Sequence, residues 1–591
     1  MTTQQDRTPP KTRRTARDVV PHREPTTQAH PALDVEHESR AEVRRGLDVW
    51  VFGVPAALAA GFLAWGFLST DSLSSVSGSA LDWVLINTGW LFVLSASGFV
   101  VFVLWLALGK YGRIPLGRDG EEPEFKTVSW IAMMFSAGMG IGLMFFGVSE
   151  PVSFFDAPPP GTGAAGNPEA AETAMATTLF HWTLHPWAIY AVVGLAIAYG
   201  VYRKGRVQLI SAVFEPLLGK HAHGPAGRVI DMLAIFATLF GSAASLGLGA
   251  LQIRSGLEIV TGIGAVGNAV LVAIIAVLTA AFVLSAISGV SRGIQWLSNI
   301  NMVLAVSLAA FVFVVGPSIF ILNLVPTSIG TYIGDLPMMA ARTGAEGQAT
   351  SAWLGDWTVF YWAWWLSWTP FVGMFIARIS RGRTIRQFVT GVLLVPSAVS
   401  LVWFCIFGGT AIDLQSKGTD IAGAASSESQ LFGMLDALPL TTLVSVVVMV
   451  LVAIFFVSGA DAASIVMGTL SEHGTSEPRR RTVIFWGVAT GATAAVMLLV
   501  GGSDALDGLQ QLTIVAALPF VLVMVGLCVS LVKDLRQDPL VVRREYAVDA
   551  VEQAVVAGVT SHGEDFVISV GRDPEAAPPA PAPESKGPVG S

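Results

Sequence analysis

Twelve times along this chain a run of about 20 mostly apolar residues appears, the length that carries an α-helix across the hydrocarbon core of a bilayer. The runs fall at about 49–68, 84–109, 128–148, 180–201, 229–251, 266–287, 300–324, 355–378, 388–408, 440–459, 483–501 and 512–532. Backbone immersed in lipid has to satisfy its own hydrogen bonds, so each run is expected to be a helix of an all-α membrane protein. Composition agrees: with 53% hydrophobic and 13% charged residues, a chain of 591 is too apolar for an ordinary soluble enzyme. The net charge of −8 says little, because the charges collect in loops and tails. Cys405 and Cys528 both sit in apolar runs, which points to packing and away from a disulfide framework or zinc site.

Lys and Arg mark the cytoplasmic loops. Arg40, Arg44 and Arg45 precede the first run, and Lys110, Arg113, Arg118 and Lys126 follow the second. Arg203, Lys204, Arg206, Lys220 and Arg228 follow the fourth, Arg292 the sixth, Arg381, Arg383 and Arg386 the eighth, and Arg479, Arg480 and Arg481 the tenth. Lys533, Arg536, Arg543 and Arg544 come after the last. The odd connections hold chiefly Arg254, Arg342 and Lys417, so both termini are expected in the cytoplasm of a cell-membrane protein. The polar start of the chain has no apolar core of the kind a cleaved signal needs. Residues 326–352 are expected as an outer interfacial helix or a plain loop, Tyr546 to Gly558 as a short helix, Asp565 to Val570 as a strand, and the Pro/Ala-rich end as disordered.

Two runs carry helix breakers. In 128–148, Gly138, Gly140 and Gly142 alternate, a pattern that suits either an unwound backbone or close helix packing. In 355–378, Trp362, Trp364, Trp365 and Trp368 precede Thr369-Pro370, and the proline predicts a broken helix. These are the third and eighth runs, so each opens a set of five. Five crossings reverse the starting side, which makes the second set an inverted copy of the first, and paired interruptions in inverted halves point to a secondary transporter's binding site. The expected division is a tail over 1–46, two extra helices over 47–127, a first repeat over 128–325, an outer segment over 326–354, a second repeat over 355–534 and a tail over 535–591.

Three stretches, GMGIGLMFFGVSEP (138–151), HWTLHPWAIY (181–190) and FYWAWWLSWTPFVGMFIARISRGRTIRQF (360–388), resemble the signatures of the betaine/choline/carnitine transporter family. The similarity covers about residues 50–534. It implies twelve transmembrane helices in a five-plus-five inverted repeat, of the amino-acid/sodium-symporter kind, a homotrimer, and a zwitterionic or quaternary-ammonium cargo.

A trimethylammonium group donates no hydrogen bond and is held by aromatic faces, at roughly 0.5–2 kcal/mol per good contact. Trp182, Trp187 and Tyr190 lie on the fourth run, and at 100° per residue they fall within a sector of about 140°, one helix face. The resemblance adds Trp365 as the completing wall, with Trp364, Trp368 and Phe360 alongside. Tryptophans also form interfacial belts, which accounts for Trp50, Trp83 and Trp353. A carboxylate at the other end of the solute needs donors, and unwound N–H groups at Gly138, Gly140 and Gly142 supply them. No acidic residue lies among these glycines, which favours a zwitterion over choline.

Sodium as coupling ion is likewise implied by the resemblance. One site carries over as Ser136, Met139, Phe455 and Ser458, the other as Thr238, Ser242 and Phe371. Gly459 stands where sodium-coupled members commonly have a hydroxyl, so the sodium count is open. Hydroxyls in membrane helices are most often simply back-bonded. Glu150, His181, His185 and Asp461 are expected near span ends, where solvation or capping suffices. The arginines after the eighth run are expected as an anchor, with an inner-gate role as the alternative. No cofactor, nucleophile motif, phosphate loop or nucleic-acid patch emerges, so an enzyme is not expected. The expected activity is sodium-coupled import of glycine betaine or a similar compatible solute. A choline, carnitine or ectoine carrier is the near alternative, and a solute-binding osmosensor the alternative of another class.

Overall fold

The computed structural model describes residues 46–138, 140–264, 266–288, 291–502 and 504–569, with backbone only for Phe135 to Gly138 and Ser288 and for 291–298. Among them the chain is helical throughout, its one β-type pairing an isolated bridge between Pro115 and Thr384. It divides into a large unit, His37–Arg536, and a second one that takes in the chain from Gln537 onward.

In the large unit the helices are α1 (Val49–Leu68), α2 (Thr70–Leu108), α3 (Thr127–Gly138), α4 (Ile141–Asp156), α5 (Pro168–Trp182), α6 (Leu184–Ala198), α7 (Pro225–Thr261), α8 (Asn268–Ser288), α9 (Ser291–Val315), α10 (Ser318–Ala341), α11 (Gln348–Leu354), α12 (Phe360–Ile379), α13 (Ile385–Ser416), α14 (Ser427–Asp436), α15 (Thr441–Ser471), α16 (Arg480–Val500) and α17 (Ala505–Arg536). Of these and the short turns beside them, ten helical stretches among the described residues are long and apolar enough to cross a membrane. They match nine of the twelve expected runs and add α10. Of the other three, the third run is cut into α3 and α4, α9 is fully described only over Asn299–Val315, which is apolar throughout most of its length, and the indoles, hydroxyls and proline of α12 lower its hydropathy.

Several boundaries differ from the sequence reading. Helix α2 starts at Thr70, so the Ser-rich residues before 84 are helix and not loop; at 39 residues it is about 58 Å long, more than the apolar core needs. The seventh run ends at Val315, before Gly316-Pro317, and residues 318–324 belong to α10, which continues through Pro326 and Pro337. The tail helix α18 (Pro539–His562) is longer than expected, and residues 565–569 form no strand; Val570 lies outside the described residues, as does the N-terminal tail to Arg45.

The fourth run is not one helix. Asn167 caps α5, its side chain accepting from Ala170 N at 2.8 Å, and Pro168 fills the first position, where no N–H is needed. At Thr183 (φ −117°, ψ −107°) the chain leaves helical geometry, and α6 begins again with Pro186 in its first turn. Trp182 and the pair Trp187 and Tyr190 therefore lie on two helices, and the single sector assumed from a regular helix does not exist.

The third run breaks as expected. Gly140 is fully extended (φ −169°, ψ −178°), and α4 starts immediately after it. The break expected at Pro370 is absent: α12 runs from Phe360 to Ile379 without interruption. Proline cannot donate to the carbonyl of Leu366, but the Thr369 hydroxyl does, at 2.6 Å, so the freed acceptor stays satisfied inside the helix. The irregularity lies upstream, in a wide turn over Gly355–Val359.

Helix α12 packs against α6, α7 and α17 and touches α3, α4 packs against α5 and α13, and Phe146 of α4 meets Trp364 of α12 with ring centres 6.1 Å apart, so the two breaker-rich segments meet in the interior. At the Lys/Arg-rich end, the loop before α3 is laced to the loop after α12. Leu116 N donates to Arg383 O (2.7 Å), Gly382 N to Leu116 O (2.8 Å) and Ile385 N to Ile114 O (2.9 Å). Arg381 pairs with Glu121 at 2.7 Å, Arg383 donates to Phe125 O at 3.0 Å, and Arg386 to Ala107 O at 2.9 Å. Gly382 (φ +80°) allows the seam, since a Cβ there would stand 2.4 Å from Glu122 O.

Candidate functional site

Where α4 begins, a cavity of about 50 Å³ is lined by Gly140, Ile141, Gly142 and Leu143 from the break, Trp182, Pro186, Trp187 and Tyr190 from α5 and α6, Trp364, Trp365, Trp368 and Val372 from α12, and Ser400 from α13. The aromatic walls meet at set angles. Trp182 and Trp365 stand nearly perpendicular, ring centres 4.9 Å apart; Trp364 and Trp365 stack at 4.6 Å; Tyr190 meets Trp365 edge-on at 6.2 Å and Trp187 at 5.4 Å. The break at Thr183 restores by position what it removes from helical phase: Trp182, Trp187 and Tyr190 still face one space.

Several of the indole N–H groups have an acceptor, as buried tryptophans require. Trp365 donates to His181 O (3.1 Å), Trp364 to Ser245 Oγ (3.0 Å), Trp368 to Gly241 O (2.9 Å) and Trp182 to Glu150 Oε2 (2.7 Å). His181 O would serve His185 N in an unbroken helix; the break at Thr183 leaves it for Trp365.

Of the three expected glycines, Gly142 has a clear steric reason. A Cβ there would lie 2.6 Å from Trp182 Cη2 and 2.7 Å from Trp364 Cη2, so two indoles touch its backbone. A Cβ on Gly140 would meet nothing within 4 Å. Because α4 starts at Ile141, its first-turn N–H groups lack intrahelical acceptors and carry the positive end of the helix dipole beside the cavity. Gly138 is described only as backbone, at the end of α3. Phe360 does not line the cavity; it stacks behind Trp364 at 5.7 Å.

A second cavity, of about 230 Å³, shares Gly140, Ile141, Trp368 and Val372 with the first and extends to Ser242, Ser245, Phe371, Phe375, Asn301, Met302, Phe455, Ser458 and Gly459. Four of the residues expected at ion sites, Ser242, Phe371, Phe455 and Ser458, thus border one space. Thr238 does not; its hydroxyl donates to Ala234 O at 2.8 Å. Ser458 is on the wall yet back-bonded as well, to Ile454 O at 2.9 Å. Met139 lies outside the described residues, and of Ser136 only the backbone is described.

The sequence reading misplaced the ionisable groups. Glu150 and His181 are not at solvated span ends but wholly buried, and they bond to each other at 2.6 Å through Oε1 and Nδ1. His185 is 2% exposed and stacks on Trp362, and Asp461 is 9% exposed. Asn301 was missed too: it is 3% exposed, and its Oδ1 has no partner although it borders the larger cavity. Asn301 stands at the very start of the run at 300–324, where a polar residue reads as the edge of an apolar span.

Residues 50–540 match the family described as BCCT, betaine/carnitine/choline family transporter. This chain belongs to that family. Among its relatives in the betaine/carnitine/choline family are the betaine/ectoine transporter LcoP of Corynebacterium glutamicum, 48% identical over 89% of this chain and 84% of its own length, and the glycine betaine transporter OpuD of Bacillus subtilis, 45% identical over 84% and 96%. Glycine betaine transporter 1 of Vibrio parahaemolyticus is 40% identical over 83% and 95%. The chain is therefore a multi-pass membrane transporter of this family, and not an enzyme.

Proposed function

We propose that this protein takes up glycine betaine, or a compatible solute of the same charge pattern, in symport with sodium. The observation that carries the reading is the aromatic box itself. Trp182, Trp187, Tyr190 and Trp365 wall a cavity that also borders the N-terminal turn of a half-helix. Aromatic faces suit a quaternary ammonium and free N–H groups a carboxylate, so the two walls match the two ends of a betaine. The names of the relatives, betaine/ectoine and glycine betaine transporters, support the same solute class.

Sodium is supported by the second cavity, where Ser242 and Ser458 offer hydroxyl oxygens of the hard type a sodium ion takes. At about 50 Å³ the box accommodates little more than a water or two, so alternating access in this reading includes a state with the indoles further apart. Twelve transmembrane helices with α10 lying at the outer interface, the inverted repeat, cytoplasmic termini and a homotrimer belong to the proposal and rest on the loop charges and the family. The inverted repeat no longer draws support from a pair of breaks, since α12 is continuous.

Uptake of labelled betaine into proteoliposomes tests this. An inward sodium gradient is expected to drive accumulation, and Trp365→Leu or Trp187→Leu to weaken binding about tenfold or more while insertion is unaffected. Equal uptake on a proton gradient without sodium would refute the coupling; unchanged affinity in both variants would remove the box. Competition by choline, carnitine and ectoine separates the carriers, and binding without accumulation would favour an osmosensor.

A further inference from the structure

Behind the aromatic box one carboxylate collects every donor around it. Glu150, on α4, accepts the Trp182 indole N–H at 2.7 Å and the Tyr361 hydroxyl at 2.5 Å on Oε2, and meets His181 Nδ1 at 2.6 Å on Oε1. His181 Nε2 in turn meets Thr358 Oγ1 at 3.0 Å. Glu150, His181 and Tyr361 are fully buried, and among the described residues no Lys or Arg lies within ion-pair distance of the carboxylate. Burying an acid inside a membrane protein without a cation is costly, and an apolar residue at the same place would avoid that cost.

What the acid supplies is position. An indole N–H only donates, so Trp182 stays in this rotamer only while an acceptor stands at its Nε1. Tyr361, held by the same oxygen, lies parallel to Trp365 at 5.9 Å. The residue that shares the other oxygen, His181, offers its backbone carbonyl to Trp365 Nε1. Both perpendicular walls of the box therefore have their N–H groups fixed within one cluster, which joins α4, α5, the turn before α12 and α12 itself. Burial in aromatic surroundings strengthens each of these bonds and makes the loss of any one expensive.

We infer that Glu150 is a positioning residue for substrate: it sets the Trp182 face directly and the Trp365 face through His181. This rests on the reading that the box receives the quaternary ammonium.

The test uses the full chain in proteoliposomes, with betaine uptake and the betaine-induced change in tryptophan fluorescence as paired readouts. Glu150→Ala is expected to raise the half-saturating betaine concentration about tenfold or more, the equivalent of one lost charged hydrogen bond, with maximal rate changed less than about twofold. Glu150→Gln, which still accepts from Trp182 but carries no charge, recovers part of that loss, and Tyr361→Phe has a smaller effect in the same direction. A loss of maximal rate alone, with betaine affinity within about twofold of the parent, would overturn the positioning role. If Glu150→Ala does not fold, Glu150→Gln carries the test; if neither folds, the residue is structural and the inference fails. Trp365→Leu runs in parallel: when it destroys affinity and the Glu150 variants do not, the positioning role is wrong and the box stands, whereas no effect in any of them removes the box.

Discussion

The segment α3–α4 and helix α12 both carry residues that disrupt helices, yet only the first is disrupted. In α3–α4 the backbone is extended at Gly140 and a new helix starts behind it. In α12 the carbonyl that Pro370 abandons is taken by Thr369 of the same turn. The difference teaches that glycine lets the backbone leave the helix, whereas proline only removes one donor, which a neighbouring hydroxyl can replace without the helix opening. One segment thereby presents free backbone N–H groups, and the other presents a rigid row of indoles.

The most damaging way to challenge this contrast is at Gly142. Gly142→Ala would push a methyl against Trp182 and Trp364, and is expected to cost about 1–3 kcal/mol of stability and most of the transport. Gly140→Ala, with open space at its Cβ, is expected to change stability by less than about 0.5 kcal/mol. Thermal unfolding of the purified variants checks both; equal costs would mean that the alternating glycines serve unwinding alone. Next in size, Thr369→Val leaves Leu366 O without a donor and is expected to destabilise by about 1–3 kcal/mol. The comparison sharpens in the Pro370→Ala background, where the backbone again supplies an N–H. There Thr369→Val is expected to cost under about 1 kcal/mol, and an undiminished cost would show that the hydroxyl does something other than replace the missing bond. The smallest effect is expected at Gly459, whose Cβ position is open and faces the larger cavity. Gly459→Ser adds a hydroxyl, and a roughly twofold fall in the sodium concentration that half-saturates uptake would support ion binding there. No change would point to sodium, if bound, sitting elsewhere.

What the sequence disclosed follows from range. The runs of apolar residues and the clusters at 181–190 and 360–368 are local patterns, and Trp182, Trp187, Tyr190, Trp364, Trp365 and Trp368 do line one cavity. Phe360 shares the cluster and the face of Trp364 but stands one helical turn before it, outside the space, a difference of height along α12 that a cluster does not carry. Glu150 and His181 lie 31 residues apart on separate helices, and their contact depends on the turn between α4 and α5. Position in a run put them near solvent; the extra helical turns of α5, which begins at Pro168, put them inside. The stretch 70–83 was unreadable for the opposite reason: it lacks the apolar signal, and its helix is an extension of the membrane run that follows. Thr369 gave no local sign of its role, since a hydroxyl beside a proline reads as a further breaker.

The seam between the loops at 114–116 and 382–385 has a mechanical consequence. Where α3 starts and α12 finishes, backbone bonds and arginine contacts fasten one to the other, so a swing of either relative to its neighbour turns about that edge. Displacement then grows with height above the fastening, as in a book opened from its spine. A few degrees there separate the indoles by more than they disturb the basic loops, and the side of the membrane opposite the fastening moves furthest.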